Sequence, residues 1–236
     1  MPRPRARVVC LPCAGGAATM YREWSELLPD CDVLAAQLPG REHRVREQPL
    51  RDMETVLGEL SAALAAVEAE PGAAAPLVLF GHSLGALVAF LLARRLDAAG
   101  RAPTHLIAAG ARAPHRRPRR LLHDLPLAQL LDEVVRMGGT SPRVLAEPEL
   151  LALIEPPLRA DLWLAETNAA ERTPPLPVSI TALGGSEDVQ IQVAEIEAWR
   201  EVAGAACDVR FVRGGHFFVR DARAEVLDHV RAALPA

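Results

Sequence analysis

The sequence predicts an α/β fold: a mostly parallel central sheet flanked by helices, with a helical insertion. Three observations carry this. Short β-rich or fully apolar runs alternate with stretches of helical spacing along most of the 236 residues, and each run ends in glycine or proline. Strands separated by helices need crossover connections, which favour parallel pairing and cover both faces of the sheet. Between residues 111 and 176 the alternation stops, over a length too great for an ordinary connection.

RVVCLP at 7–12 reads as the first strand, and AGGAA after it as a turn. A helical segment near 18–28 precedes CDVLAAQLPG, a second strand that ends in Pro39-Gly40. In 51–68, Met53, Val56, Leu57, Leu60, Leu64 and Val67 recur at helical steps, and PGAAAP breaks the helix. PLVLF at 76–80 is a fully apolar strand, 84–98 a Leu- and Ala-rich helix stopped by Gly100, and THLIAAG at 104–110 another strand. PVSITALGG at 177–185 and CDVRFVRGG at 207–215 are the last strands, with helix expected near 189–203 and 221–233. The 111–176 insertion shows helical patches at 126–137, 147–154 and 157–168 and nothing like a core strand. It reads as a lid over one end of the sheet, or else as extra layer helices.

Half of the residues are hydrophobic, which suits a single domain over 1–236. The net charge of -4 gives no global basic surface for nucleic acid. Apolar stretches are too short to span a bilayer, and no secretory pattern opens the chain. Four cysteines in a chain of this size suggest reduced thiols in the cytoplasm; Cys10 and Cys13 lack the second pair that zinc would need.

Chemistry concentrates at Gly81-His82-Ser83-Leu84-Gly85, set between an apolar strand and an apolar helix. A serine on so sharp a turn projects at the top of the sheet, beside the helix N-terminus, where backbone N–H groups favour developing negative charge. The plainer reading is a glycine-flanked turn. Ser83 as a nucleophile needs a base, and the base needs an orienting group. Of seven histidines, His216 follows a strand and lies in RGGHFF, at the same sheet edge as Ser83. His105 starts a strand, His115 and His123 lie in the insertion, and His229 lies in the last helix. His82 adjoins the serine, but neighbouring side chains diverge at such a turn. Asp188, just past a strand end, is the expected acid, with Glu187 and Asp161 as alternatives; Asp161 reads otherwise as a helix cap or a salt-bridge partner. The order Ser83, Asp188, His216 is that of the α/β-hydrolase arrangement. Two backbone amides should bind the oxyanion: Leu84, and Ala14 or else Cys13 from the first loop.

The chain also resembles a known family, the discrete (type II, editing) thioesterases of polyketide and nonribosomal peptide biosynthesis. The matching pieces are LPCAGGAA at 11–18, QLPGREHR at 37–44, FGHSLGA at 80–86, GGTSPRVLAEPEL at 138–150, LRADLWLAE at 158–166, ALGGSEDV at 182–189 and GGHFF at 214–218. The resemblance implies an α/β-hydrolase fold with a helical lid, acting as a monomer without metal or cofactor. The substrate it implies is an acyl thioester on the phosphopantetheine arm of a carrier protein. Ser83, His216 and Asp188 fall on the family's triad positions, and Ala14 and Leu84 on its oxyanion positions. Cys13 departs from the histidine usual before AGG, and Asn168 from a frequent aromatic.

Apolar residues of the insertion, among them Leu127, Leu130, Leu131, Val134, Met137, Leu150, Leu153, Ile154 and Trp163, are expected to line an acyl channel or to pack on the core. ARAPHRRPRR at 111–120 holds five arginines, a surface to steer an acidic carrier protein or a solvated connector. Two rival functions share these residues: a carboxylesterase or lipase on free oxygen esters, and an inactive hydrolase-fold binding protein.

Overall fold

The structure is a computed structural model that describes residues 4–70, 72, 74–140, 143 and 147–235. Among these, six strands form one sheet: β1 (Ala6–Leu11), β2 (Cys31–Ala35), β3 (Leu77–His82), β4 (His105–Ala109), β5 (Ser179–Gly185) and β6 (Cys207–Val212), in the order β2-β1-β3-β4-β5-β6. Every pairing is parallel. The central strands β1 and β3 are buried along their whole length, while β6 at one edge alternates. The chain leaves β1 toward one side, for β2, and returns on the other, for β3. The loops after β1 and β3 therefore part, and open α/β sheets bind ligands in the crevice this makes at their carboxyl edge.

Side-chain alternation divides each central strand between two cores. Val9 and Leu11 of β1 join Leu77 and Leu79 of β3 on the face covered by α2 (Met53–Glu68) and α3 (Leu84–Ala98). Val8 and Cys10 join Val78 and Phe80 on the other, against Tyr21, Trp24 of α1 (Trp24–Leu27) and Val226 and Val230 of a C-terminal helix. Asp52 starts α2 by accepting from the Thr55 N–H at 2.8 Å. No helix among the described residues is long and apolar enough to cross a membrane.

β3 runs two residues past the expected 76–80, because Gly81 and His82 still pair with Ala108 and Ala109. Between β4 and β5 lie α4 (Leu127–Met137) and α5 (Pro148–Thr167). The patches expected at 147–154 and 157–168 are one helix, which passes through Pro156 and Pro157. Each proline leaves the carbonyl four residues back without an intrahelical donor, and those carbonyls belong to the exposed Ala152 and Leu153, where water can serve them. The resembling run at 138–150 lies partly outside the described residues. After β5 come α6 (Val193–Glu197) with a 3-10 turn to Glu201, then after β6 α7 (Phe218–Asp221) and α8 (Arg223–Ala233).

Candidate active site

Ser83 sits between the last residue of β3 and the first of α3 with φ 54° and ψ −115°. Only one other non-glycine among the described residues, Glu42, has positive φ. The turn is too tight for side chains beside the serine. A Cβ on Gly81 would fall into the Gly85 carbonyl, and one on Gly85 into the Leu11 carbonyl of β1. The Ser83 N–H donates to the Ala109 carbonyl at 2.8 Å, pinning the turn to the neighbouring strand.

His216 arrives on the loop between β6 and α7. Its Nε2 lies 3.1 Å from Ser83 Oγ, and its Nδ1 lies 2.8 Å from Asp188 Oδ2. A carboxylate only accepts, so Nδ1 carries the proton and Nε2 is free to accept from the serine. Asp188 follows β5 in a turn where its Oδ1 accepts from the Gln190 and Ile191 N–H groups at 2.7 and 3.3 Å. Burial opposes its charge, but the His216 contact and these amides hold its carboxyl below the usual range. Glu187 points elsewhere: it is exposed and lies 3.9 Å from Arg213.

His82 is buried beneath this pair. Its Nε2–H donates to the His216 carbonyl at 2.9 Å, and its ring lies 5.4 Å from the His216 ring. Burial, and then the His216 charge, push its pKa down to about 3, so it stays neutral. Its Nδ1 has no hydrogen-bond partner among the described residues.

Neither the Leu84 nor the Ala14 N–H has a hydrogen-bond partner among the described residues. Cys13 is buried, with Sγ 3.9 Å from Met20 Sδ, and burial pushes its thiol up to about 12. A thiol so far from ionising is a poor nucleophile.

A half-enclosed cavity of about 520 Å³ opens beside Ser83 and His216. Its apolar wall is Met20, Val134, Met137, Ile154, Leu158, Leu162 and Phe217, so three of the insertion residues proposed for a channel line it. Leu130 instead packs beneath, in a separate small core with Leu122, Leu158 and Leu162. Arg112, Arg119, Arg120, Arg136 and Arg220 reach the cavity as well.

The arginines of 111–120 are largely engaged within the chain. Arg112 pairs with Glu195 at 3.5 Å, Arg116 with Glu201 at 2.7 Å and Arg120 with Glu133 at 2.6 Å. Arg119 donates to Gln192, and Arg117 to the Thr167 carbonyl at 3.4 Å.

The sequence did not expose two side-chain clusters. In the first, Glu166 of α5 accepts from the Leu122 and His123 N–H groups at 2.9 and 3.1 Å and meets His123 Nδ1 at 2.5 Å. That ties the start of the insertion to α5. In the second, Asp161 of α5 pairs with Arg41. Burial pushes the Asp161 carboxyl up, against the pull of Arg41. Asp161 is therefore an ion-pair partner and is not at His216. The QLPGRE and LRADLW runs were the available signals, but nothing in either named its partner. Asn168 caps α5, its Nδ2 donating to the Leu164 carbonyl at 3.0 Å.

The described geometry agrees with three comparisons. The thioesterase domain family matches residues 6–234. Thioesterase PikA5 of Streptomyces venezuelae is 37% identical over 231 residues, covering 97% of this chain and 81% of its own. Linear gramicidin dehydrogenase LgrE of Brevibacillus parabrevis is 38% identical over 228 residues, covering 94% and 84%. The redox activity in that name is said of that protein. The structure of BorB, the type II thioesterase from the borrelidin biosynthetic cluster, superposes with a TM-score of 0.88 at 35% identity, covering 100% of this chain and 94% of its own. The fold is that of the α/β-hydrolases.

Proposed function

The chain belongs to the thioesterase family, and from that premise we propose that it is a type II thioesterase of a polyketide or nonribosomal peptide assembly line. It hydrolyses thioesters; the substrate proposed is an acyl group on the phosphopantetheine arm of a carrier protein. The observation that carries the catalytic reading is the line Ser83 Oγ, His216 Nε2, His216 Nδ1 and Asp188 Oδ2, with contacts of 3.1 and 2.8 Å, at the mouth of a largely apolar cavity.

His216 takes the Ser83 proton as Oγ attacks the thioester carbonyl. Asp188 holds the imidazole tautomer and stabilises the cation that forms. The oxyanion is bound by the Leu84 N–H, the first of α3, and by the Ala14 N–H; both lack a partner among the described residues. A preorganised donor of this kind is worth about 3–4 kcal/mol of barrier. The C–S bond breaks, and His216 returns its proton to the departing pantetheine sulfur. Water then loses a proton to His216 and attacks the acyl-Ser83 ester; the C–Oγ bond breaks, His216 returns the proton to Ser83 Oγ, and a carboxylic acid leaves. The insertion acts as a lid: α4 and α5 supply the apolar wall that takes the acyl chain and excludes water. The strain at Ser83 supports the nucleophile reading, since positive φ in a non-glycine residue needs surroundings that enforce it.

The test compares acyl release from a phosphopantetheinylated carrier protein with release from matched oxygen esters, for wild type and Ser83→Ala. Intact mass spectrometry follows the acyl-enzyme. Carrier deacylation that vanishes in the variant is expected. Rapid oxyester turnover with the carrier untouched would make the protein an esterase, and no turnover with no adduct would make it a binding protein.

A further inference from the structure

The QLPGREHR and LRADLWLAE runs supply no member of the triad, yet their side chains converge on the loop after β1. Asp161 Oδ2 accepts from the Gly15 N–H at 2.8 Å, next to the Ala14 amide. The same carboxylate takes Arg41 Nη1 at 2.5 Å and Nη2 at 3.0 Å. Arg41 Nη1 also donates to the Gly16 carbonyl at 3.1 Å, and its Nε and Nη2 donate to the Pro39 carbonyl at 3.2 Å. All five guanidinium N–H groups therefore have an acceptor. Gln37 accepts from the Ala18 N–H at 2.8 Å and donates to the Arg41 carbonyl at 3.2 Å.

We propose that Asp161, Arg41 and Gln37 are positioning residues that hold the Ala14 amide at its oxyanion-binding place, and so make the lid helix α5 part of the catalytic frame. This rests on the reading of Ala14 as an oxyanion donor. The contacts around Ala14 are one-sided: its neighbours Gly15, Gly16 and Ala18 are fixed by side chains from elsewhere, while its own N–H has no partner among the described residues. The clamp is rigid. Its two charged side chains are only 7% and 2% exposed, and a buried pair that loses one member leaves the other charge uncompensated. The lid rides directly on the loop as well. Gly15 has φ +69°, and a Cβ there would come within 3.2 Å of Leu158 Cδ1 on α5. An oxyanion donor works only within a few tenths of an ångström of its place, so a loop freed from this clamp loses transition-state binding before it loses substrate binding.

The experiment uses wild type, Asp161→Ala and Asp161→Asn, with two readouts. One is steady-state hydrolysis of an acyl-carrier thioester across pH. The other is affinity for an alkylboronic acid, which bonds Ser83 Oγ and places a boron oxygen at the oxyanion site. In Asp161→Ala, kcat is expected to fall about ten- to a hundredfold with KM within about twofold. Boronate affinity falls by a similar factor, while the acidic limb of the pH profile does not move. Asp161→Asn keeps an acceptor for Gly15 and recovers part of the loss. Unchanged kcat and boronate affinity in both variants would overturn the proposal, as would a raised KM at constant kcat. If Asp161→Ala does not fold, Asp161→Asn decides by the same criteria. A wild type that leaves the thioester intact defeats the functional reading instead, and boronate affinity still decides the positioning.

Discussion

The turn at Ser83 and the helical insertion are held by different means. At the turn, backbone meets backbone: the Gly85 position abuts the Leu11 carbonyl, and the Ser83 N–H is bound to Ala109. The insertion is held by carboxylates that reach across it, Glu166 to the 122–123 backbone and Asp161 to Arg41 and Gly15. Close backbone packing yields nothing to substitution, because there is no flexible atom to move. A side-chain tie rests on a few atoms at the end of one residue, and a single substitution removes it. Ser83 is thus a fixed feature of the sheet, and the pocket above it an adjustable one.

The largest effects should come from the fixed part. Ser83→Ala should lower turnover by about 10⁴- to 10⁶-fold, and Asp188→Asn by about 10⁴-fold, both without loss of folding. Single-turnover deacylation read by mass spectrometry checks them, and a residual rate within tenfold of wild type would refute the triad. Gly85→Ala should cost about 3 kcal/mol or more of stability, seen as a lower urea midpoint, since its Cβ overlaps a carbonyl of the central strand.

Cutting a tie in the insertion should do less. Glu166→Ala leaves two amides and the His123 ring without their acceptor, a loss of about 2–3 kcal/mol. It should speed amide exchange in 121–125 and raise KM for long acyl chains more than for short ones. Equal exchange rates in variant and wild type would show that the 121–125 segment does not depend on this tie.

His82→Gln tests the fixed part by pH. The folded protein keeps His82 near 3 against an ordinary 6.5, so between those values the unfolded chain binds about one proton more. Its contribution is fully present above pH 6.5 and is lost as pH falls from 6.5 toward 3, at up to about 1.4 kcal/mol per unit. The variant should show a shallower fall of stability across that window. An identical slope would mean that His82 does not titrate this way. The smallest effect belongs to Arg116→Ala, an exposed pair with Glu201, which should change the melting midpoint by the equivalent of less than about 0.5 kcal/mol.

The same contrast decided what the sequence revealed. Features fixed by backbone leave local marks: apolar strand runs, glycines on both sides of Ser83, and Asp188 and His216 each just after a strand. All three side chains meet at the carboxyl edge, as their positions after β3, β5 and β6 suggest. Features made by long-range side-chain contacts leave no such mark. Arg41 and Asp161 are 120 positions apart, so a salt-bridge reading of Asp161 had no partner to name. The two-proline step in α5 misled for a related reason: its effect depends on whether the abandoned carbonyls face water, and only the packing tells.

The tie from Asp161 to the loop after β1 also bears on engineering. Exchanging the 111–176 segment with that of a relative is the obvious way to change which chains the enzyme accepts, since Ser83, Asp188 and His216 all lie outside it. A graft lacking a carboxylate at the Asp161 position would strand the Arg41 cation in a dry site and release Gly15. Chimeras should therefore be cut so that this aspartate and its arginine come from the same parent. Failed swaps are then to be sorted by whether the pair was kept, before any pocket residue is blamed.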